Sequence, residues 1–304
     1  MSSFRLIPAP FTPFDSKTLA INEEAVDLTA RAYKGDGIGT VFINGTTAEF
    51  ASLTFDERVK LAELWVEAGK SHGIKVIVHV GHACLKESQE LARHACHLGA
   101  DAIAAVAPYY FKPASMPALV ESIRAIADAC SDCPFYYYDL PELTGVNFPA
   151  DEFLRKAREV IPNFKGIKFS KGDLFEFQRL QRESAGDYEL FFGKDEILLS
   201  ALSLGATGAV GSTYNFLAKT AFGIVDEFNR SNIKNAQVNQ QTLTEMVQLL
   251  AAQNYLPAAK YVMSRLKVDC GPARLPFLPL TEAETGDIEA ALDRMALDEV
   301  PVLN

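Results

Sequence analysis

The stretch Gly166-Ile167-Lys168-Phe169-Ser170 sets a lysine between two apolar residues, in a run that reads as a buried strand. Lysine is almost never fully buried without a partner. In apolar surroundings an ammonium loses its hydration, its pKa falls, and a neutral amine becomes available near neutral pH. Such an amine attacks a ketone and forms a Schiff base. The same spacing also fits a lysine paired with a buried carboxylate, or one whose head reaches the rim of the fold. Schiff-base chemistry needs a proton shuttle, and Phe135-Tyr136-Tyr137-Tyr138-Asp139 offers phenols. Alternation puts Tyr136 and Tyr138 on one face of the strand and Tyr137 on the other. Tyr138 is nearer the strand end, where it would serve as a general acid–base. A tyrosine-rich strand is equally an ordinary core strand.

Gly45-Thr46-Thr47 carries two hydroxyls and backbone amides on a glycine turn, a nest that suits a small carboxylate. Its plain alternative is a strand-to-helix loop with threonine caps. Further polar residues stand where strands end: Ser170, then Gly193-Lys194-Asp195-Glu196, then Gly211-Ser212. The run Gly205-Ala206-Thr207-Gly208-Ala209-Val210-Gly211-Ser212 is similar to the glycine-rich last strand of phosphate-binding barrels. Alone it also fits close packing against a ligand. Four of the five histidines, His79, His82, His94 and His97, lie near Cys84 and Cys96. They are not expected to form a metal site. His79 and His82 end a strand, whereas His94 and His97 lie near the far end of the following helix, roughly 15 Å away. Zinc ligands must all lie within about 2.0–2.3 Å of one metal.

These groups need elements to position them. Eight short apolar runs begin at Phe4, Gly39, Ile74, Asp101, Pro134, Gly166, Tyr188 and Gly205, and helical patterns separate them. Continuous apolar runs fit parallel strands covered on their outer face. Thr54 with Glu57 three residues on reads as a capping box, and Gly99 as a helix stop. Further helical patterns occupy residues 22–34, 115–130, 150–161, 173–185, 195–204 and 214–229. Eight strand–helix units predict an α/β fold, a (β/α)8 TIM barrel over residues 1–230. The alternative, a doubly wound sheet, calls for G-x-G-x-x-G after an early strand, and that motif is absent there. Three helical patterns after residue 230 predict a C-terminal extension, residues 231–304, packed on the barrel.

The formal net charge is −10 and no basic run occurs, so neither nucleic acid nor an anionic membrane surface is an expected partner. An acidic chain still accepts an anionic substrate where local donors converge. No apolar run reaches the ~18 residues that suggest a membrane span. The N-terminal stretch lacks a basic segment followed by a long apolar one, so no secretory signal is expected. Five cysteines at irregular spacing predict reduced thiols and a cytoplasmic protein.

In combination, GTTAE, PYYFKP, YYYDLPELTG, GIKFS and DEILLSALSLGATGAVGSTYN resemble the motifs of the dihydrodipicolinate synthase/N-acetylneuraminate lyase family of pyruvate-dependent class I aldolases. The resemblance runs from PAPFTPF to the C-terminal helices, and the last three motifs look most like the lyase branch. It implies that Lys168 forms the Schiff base with pyruvate and that Tyr138 relays protons. It implies that Thr46 and Thr47 hold the pyruvate carboxylate and join the relay, and that Tyr110 reaches into a neighbouring subunit of a homotetramer. Ser170, Gly193, Asp195, Glu196 and Ser212 would face the sugar-derived part of the substrate, and Gly211 is a further substrate-binding candidate. The implied reaction is cleavage of N-acetylneuraminate, a sialic acid, to N-acetylmannosamine and pyruvate, with no metal or organic cofactor beyond the covalent Schiff base. Another 2-oxo acid aldolase or a dihydrodipicolinate synthase-like enzyme, and a non-catalytic ligand-binding relative, are the alternatives. The synthases carry an arginine in Y-N-x-P-x-R-T-G that binds a substrate carboxylate. Here the position is Leu143, which cannot make that contact. Two further departures, Ala48 for glycine and Asp139 for asparagine, remove no group that the mechanism needs.

Overall fold

A computed structural model describes residues 4–297. Eight strands alternate with helices along the chain: β1 (Arg5–Pro8), β2 (Thr40–Ile43), β3 (Lys75–His79), β4 (Ala102–Val106), β5 (Phe135–Asp139), β6 (Phe164–Phe169), β7 (Glu189–Phe192) and β8 (Gly208–Gly211). All neighbouring pairs are parallel, in the order β1-β8-β7-β6-β5-β4-β3-β2, and β1 lies against β2 at the seam. This is a nearly closed (β/α)8 barrel. Pairing of the first strand with the last excludes the doubly wound alternative.

The outer ring holds α1 (Glu23–Gly35), α2 (Phe55–His72), α3 (Leu85–Leu98), α4 (Met116–Ala127), the one-turn α5 (Pro141–Thr144), α6 (Ala150–Val160), α7 (Leu174–Ser184), α8 (Leu198–Ser203) and α9 (Tyr214–Asn229). The capping box at Thr54 and Glu57 forms, and Gly99 ends α3 with a left-handed φ of 83°. Three helices follow: α10 (Ile233–Ala252), α11 (Tyr255–Leu266) and α12 (Glu282–Arg294). α10 packs on α9 and on the 3-10 turn Asp195–Ile197 after β7. The last residues of the expected extension, 298–304, and the first three of the chain lie outside the described residues.

Alternation divides the core in two. Ile7, Phe42, Ile77, Ala104, Tyr136, Tyr138, Phe191 and Val210 fill the barrel. Leu6, Val41, Ile103, Tyr137, Ile167 and Phe192 face the helices. β6 begins two residues earlier than the sequence suggests. Phe135 pairs with Phe164, whereas Tyr136 pairs with Gly166, so Lys165 is an extra residue in the ladder. This bulge reverses the face on which every later side chain of β6 falls. Phe164 and Ile167 therefore both point outward, and Lys168 turns inward opposite Tyr138.

One expectation about the thiols is corrected. Cys96 on α3 and Cys130 after α4 are joined in a disulfide, their Cα atoms 6.6 Å apart. Packing of α3 against the turn after α4 brings together two cysteines that are 34 residues apart in sequence, a juxtaposition that spacing along the chain does not show. Cys84, Cys133 and Cys270 are free.

Gly166 lies directly against the β7 backbone, in register with Glu189. A Cβ there would fall 1.8 Å from the Glu189 carbonyl oxygen and 2.7 Å from its carbon, both backbone atoms of β7. Gly166→Ala is therefore expected to destabilise the protein by about 2 kcal/mol or more, read as a lower urea midpoint at unchanged slope. An unchanged midpoint would contradict this packing.

Candidate active site

Lys168 occupies the inward face of β6, between Tyr138 of β5 and Phe191 of β7 in register. It is 4% exposed, so its head does not reach the rim. Its Nζ lies 3.9 Å from the centre of the Tyr138 ring and 4.0 Å from that of Phe42. Among the described residues no carboxylate pairs with it. Burial pushes its pKa down to about 7, and the more distant charge of Asp195 opposes that fall only in part. A substantial fraction of neutral amine is thus present near neutral pH.

The Tyr138 hydroxyl lies 3.3 Å from Thr46 Oγ1. Burial raises its pKa to about 12, against smaller lowering contributions from Thr46 and Ser170. The phenol is therefore protonated at neutral pH. Thr46 and Thr47 sit in a turn closed by bonds from Ala48 N–H to the Gly45 carbonyl (3.1 Å) and from Glu49 N–H to the Thr46 carbonyl (2.9 Å). Among the described residues no protein acceptor engages the amides of Thr46 and Thr47. Asn44 and Glu49 take left-handed φ values of 55° and 58°, and Ala48 does not. The position where the family pattern has glycine therefore needs no glycine here.

A cavity of about 230 Å³ opens at the C-terminal end of the barrel. Every candidate residue named from sequence lines it except Tyr110: Thr46, Thr47, Tyr138, Lys168, Ser170, Gly193, Asp195, Glu196, Gly211 and Ser212. Two glycines let polar groups approach. A Cβ on Gly211 would fall 1.8 Å from Asp195 Oδ1, and one on Gly193 2.1 Å from Ser170 Oγ. Asp195 Oδ2 accepts from the Thr213 amide (2.9 Å) and hydroxyl (2.7 Å). Burial raises the Asp195 pKa and those bonds counter it. Close packing is thus the observed use of the glycine-rich β8. Tyr110 is 75% exposed and lies outside this cavity.

Sequence reasoning missed Tyr255, whose hydroxyl meets Ser212 Oγ at 2.8 Å, and Val247. Both come from the C-terminal helices, and nothing in their local sequence marks them. Lys194, placed at a strand end from sequence but given no role there, lines the cavity, and its Nζ binds both oxygens of Glu142 at 2.9 Å. α10 fixes the loop after β7: Gln240 donates to the Asp195 carbonyl (3.1 Å) and Thr244 to that of Glu196 (3.0 Å).

The neighbouring residues have other work. His79 Nδ1 meets the Asn44 carbonyl at 2.8 Å and Nε2 meets the Val106 amide at 3.3 Å. A carbonyl only accepts and an amide only donates, so the ring is neutral with its proton on Nδ1. Burial holds its pKa well below the usual value. His82 pairs with Glu87 and His94 with Glu63. Among the described residues no three His, Cys, Asp or Glu are grouped to hold a metal. Asp139 faces away from the cavity and meets Lys171 at 3.1 Å. Its pKa is raised by burial to about 7, and Lys171 offsets part of that rise. Leu143, at the arginine position of the synthases, is 66% exposed and lines a separate, mostly apolar cavity of about 200 Å³.

A sequence profile of the dihydrodipicolinate synthetase family matches residues 2–295. The chain is similar to the N-acetylneuraminate lyase of Rattus norvegicus, 41% identical over 273 residues, which cover 89% of this chain and 85% of that protein. With the Homo sapiens N-acetylneuraminate lyase it shares 40% over 262 residues, 85% of this chain and 82% of the relative. Among solved structures, the Proteus mirabilis N-acetylneuraminate lyase superimposes with a TM-score of 0.91 at 32% identity, covering 97% of this chain and 99% of that one. The Aliivibrio salmonicida N-acetylneuraminate lyase gives 0.91 at 34% identity, covering 98% and 99%.

The burial of Lys168 has a measurable consequence. In competitive acetylation followed by peptide mass spectrometry, its reactivity should rise with pH to half its maximum near pH 7. Exposed lysines should follow their ordinary pKa of about 10.4. A Lys168 midpoint near that of the exposed lysines would refute the apolar setting.

Proposed function

This chain belongs to the dihydrodipicolinate synthetase family, and from that premise we propose that it cleaves N-acetylneuraminate to N-acetylmannosamine and pyruvate as a class I aldolase. The observation that carries the reading is a buried Lys168, without a carboxylate partner among the described residues, in one cavity with a hydrogen-bonded Tyr138 and Thr46. Leu143 supplies no cation for a second substrate carboxylate, which argues against the synthase alternative.

The neutral amine of Lys168 attacks the C2 ketone of the open-chain sugar acid. The carbinolamine takes up a proton and loses water to give a protonated imine, and the later hydrolysis returns that proton. The free amides of Thr46 and Thr47, together with their hydroxyls, hold the substrate carboxylate. The C4 hydroxyl then gives up its proton as the C3–C4 bond breaks. That electron pair flows into the iminium, leaving an enamine on Lys168 and the aldehyde of N-acetylmannosamine. Tyr138 starts protonated, so it acts as a relay: it takes the C4 proton as its own passes to the substrate carboxylate. Protonation of the enamine at C3 and hydrolysis of the imine release pyruvate. The iminium is itself the electron sink, so the sequence of steps calls for no metal or organic cofactor.

Asp195 keeps Oδ1 for a sugar hydroxyl while Oδ2 is held by Thr213, and Glu196, Ser170, Ser212 and Gly193 complete the wall. The exposure of Tyr110, with Phe111 beside it 86% exposed, supports its completing a neighbouring subunit's cavity in a homotetramer. Among the described residues no helix is long and apolar enough to cross a membrane. Three of the five cysteines, Cys84, Cys133 and Cys270, are free despite the one disulfide, which supports a cytoplasmic location.

Pyruvate release from N-acetylneuraminate is the deciding assay. Activity is expected in the unaltered protein and its loss, by at least about 10³-fold, in Lys168→Ala. Retained activity in that variant would end the Schiff-base reading. Gly211→Ala, which displaces Asp195, should raise KM for the sugar acid about tenfold. Reductive trapping of pyruvate on Lys168 by borohydride should be unaffected. Loss of both would place Gly211 outside the sugar subsite.

A further inference from the structure

The turn bearing Thr46 and Thr47 is anchored from behind by a buried ion pair with the C-terminal helices. Glu49 closes the turn with a left-handed φ of 58°, a conformation that a residue with a Cβ keeps only where its surroundings impose it. The carboxylate supplies that constraint. Oε1 meets Lys260 Nζ of α11 at 3.2 Å, and Oε2 accepts the Arg274 amide at 2.8 Å. Lys260 also donates to the Thr12 carbonyl at 2.8 Å and the Pro272 carbonyl at 2.7 Å. Thr12 Oγ1 in turn donates to the Ala48 carbonyl at 2.6 Å. Both residues that follow Thr47 are thus tied to one ammonium.

The side chains of Glu49 and Lys260 are 0% and 1% exposed, and neither lines the cavity that holds Lys168. Two buried charges are a costly way to fill space that apolar side chains fill well. They do supply direction, because each oxygen and each ammonium proton has a defined partner. An anion nest works only while its amides converge, and a displacement of about 1 Å at a binding group weakens function about 10²-fold.

We propose that Glu49 and Lys260 are a positioning pair that holds the free amides of Thr46 and Thr47, and their hydroxyls, in the geometry that receives the substrate carboxylate. The C-terminal helices are then part of the carboxylate site. This rests on the reading of that turn given under the proposed function.

The test compares borohydride trapping on Lys168 of pyruvate with that of hydroxyacetone, a ketone without a carboxylate, in the full-length protein. Glu49→Gln preserves the shape of the side chain and removes its charge, and Lys260→Met removes the ammonium. The half-saturating pyruvate concentration should rise about tenfold or more in both variants, while hydroxyacetone trapping stays within about twofold. If Lys260→Met does not fold, Glu49→Gln decides alone. Unchanged pyruvate half-saturation in a folded variant overturns the proposal. So does equal loss on both ketones, which marks general damage. If the unaltered protein traps pyruvate no better than hydroxyacetone, the turn is not a carboxylate site. That outcome removes the functional reading together with the pair's role, whereas failure confined to the variants removes the pair's role alone.

Discussion

The Lys168 nitrogen sits between the Phe42 and Tyr138 rings with no counter-ion among the described residues, and much of the surrounding architecture follows from keeping it that way. Each unit by which burial lowers its pKa is about 1.4 kcal/mol against the charged form. A carboxylate in direct contact would return the proton and silence the nucleophile. Asp195 shows how the conflict is met. It must be near enough to line the same cavity, and its Oδ2 is turned to the amide and hydroxyl of Thr213. Burial also pushes its own pKa upward, which weakens its pull on the ammonium.

Among the described residues three lysines are buried near this end of the barrel, and their partners divide their roles. Lys260 meets a carboxylate and two carbonyls. Lys171 meets Asp139, Glu176 and the Phe148 carbonyl. Both are bolts between elements: one ties α11 to the turn after β2, the other ties the ends of β5 and β6 to α7. Of the three, Lys168 alone has no such acceptor set among the described residues, although all are 6% exposed or less. Burial by itself does not make a lysine reactive. Burial without acceptors does.

The eight strands were legible because each is a short apolar run bounded by turn residues, and the candidate residues because they stand at the ends of those runs. Lys165 was not legible as a bulge. The strand read from Gly166 onward has the right alternation by itself, and only pairing with Phe135 and Tyr136 reveals the extra residue. Tyr255, Val247 and Gln240 were missed for another reason. Helical periodicity tells which face of α10 or α11 is buried, but not which loop lies beneath it. The disulfide between Cys96 and Cys130 has the same origin, since α3 and the turn after α4 meet only through packing. The sequence placed Glu49 at the end of its motif but offered no sign that its partner lay 211 residues away.

The hold of α10 on the loop after β7 separates two tasks in a way that bears on how such proteins diversify. The amine, the phenol and the threonine turn belong to strands and strand ends. Gln240 and Thr244 grip only the backbone carbonyls of Asp195 and Glu196, on one wall of the cavity. Mutations accumulating in this late helix can shift that wall by fractions of an ångström without touching the bond-breaking groups. The helix thus adjusts one wall of the cavity independently of the strands: a change on α10 reaches the loop after β7 through its backbone, whatever side chains that loop carries.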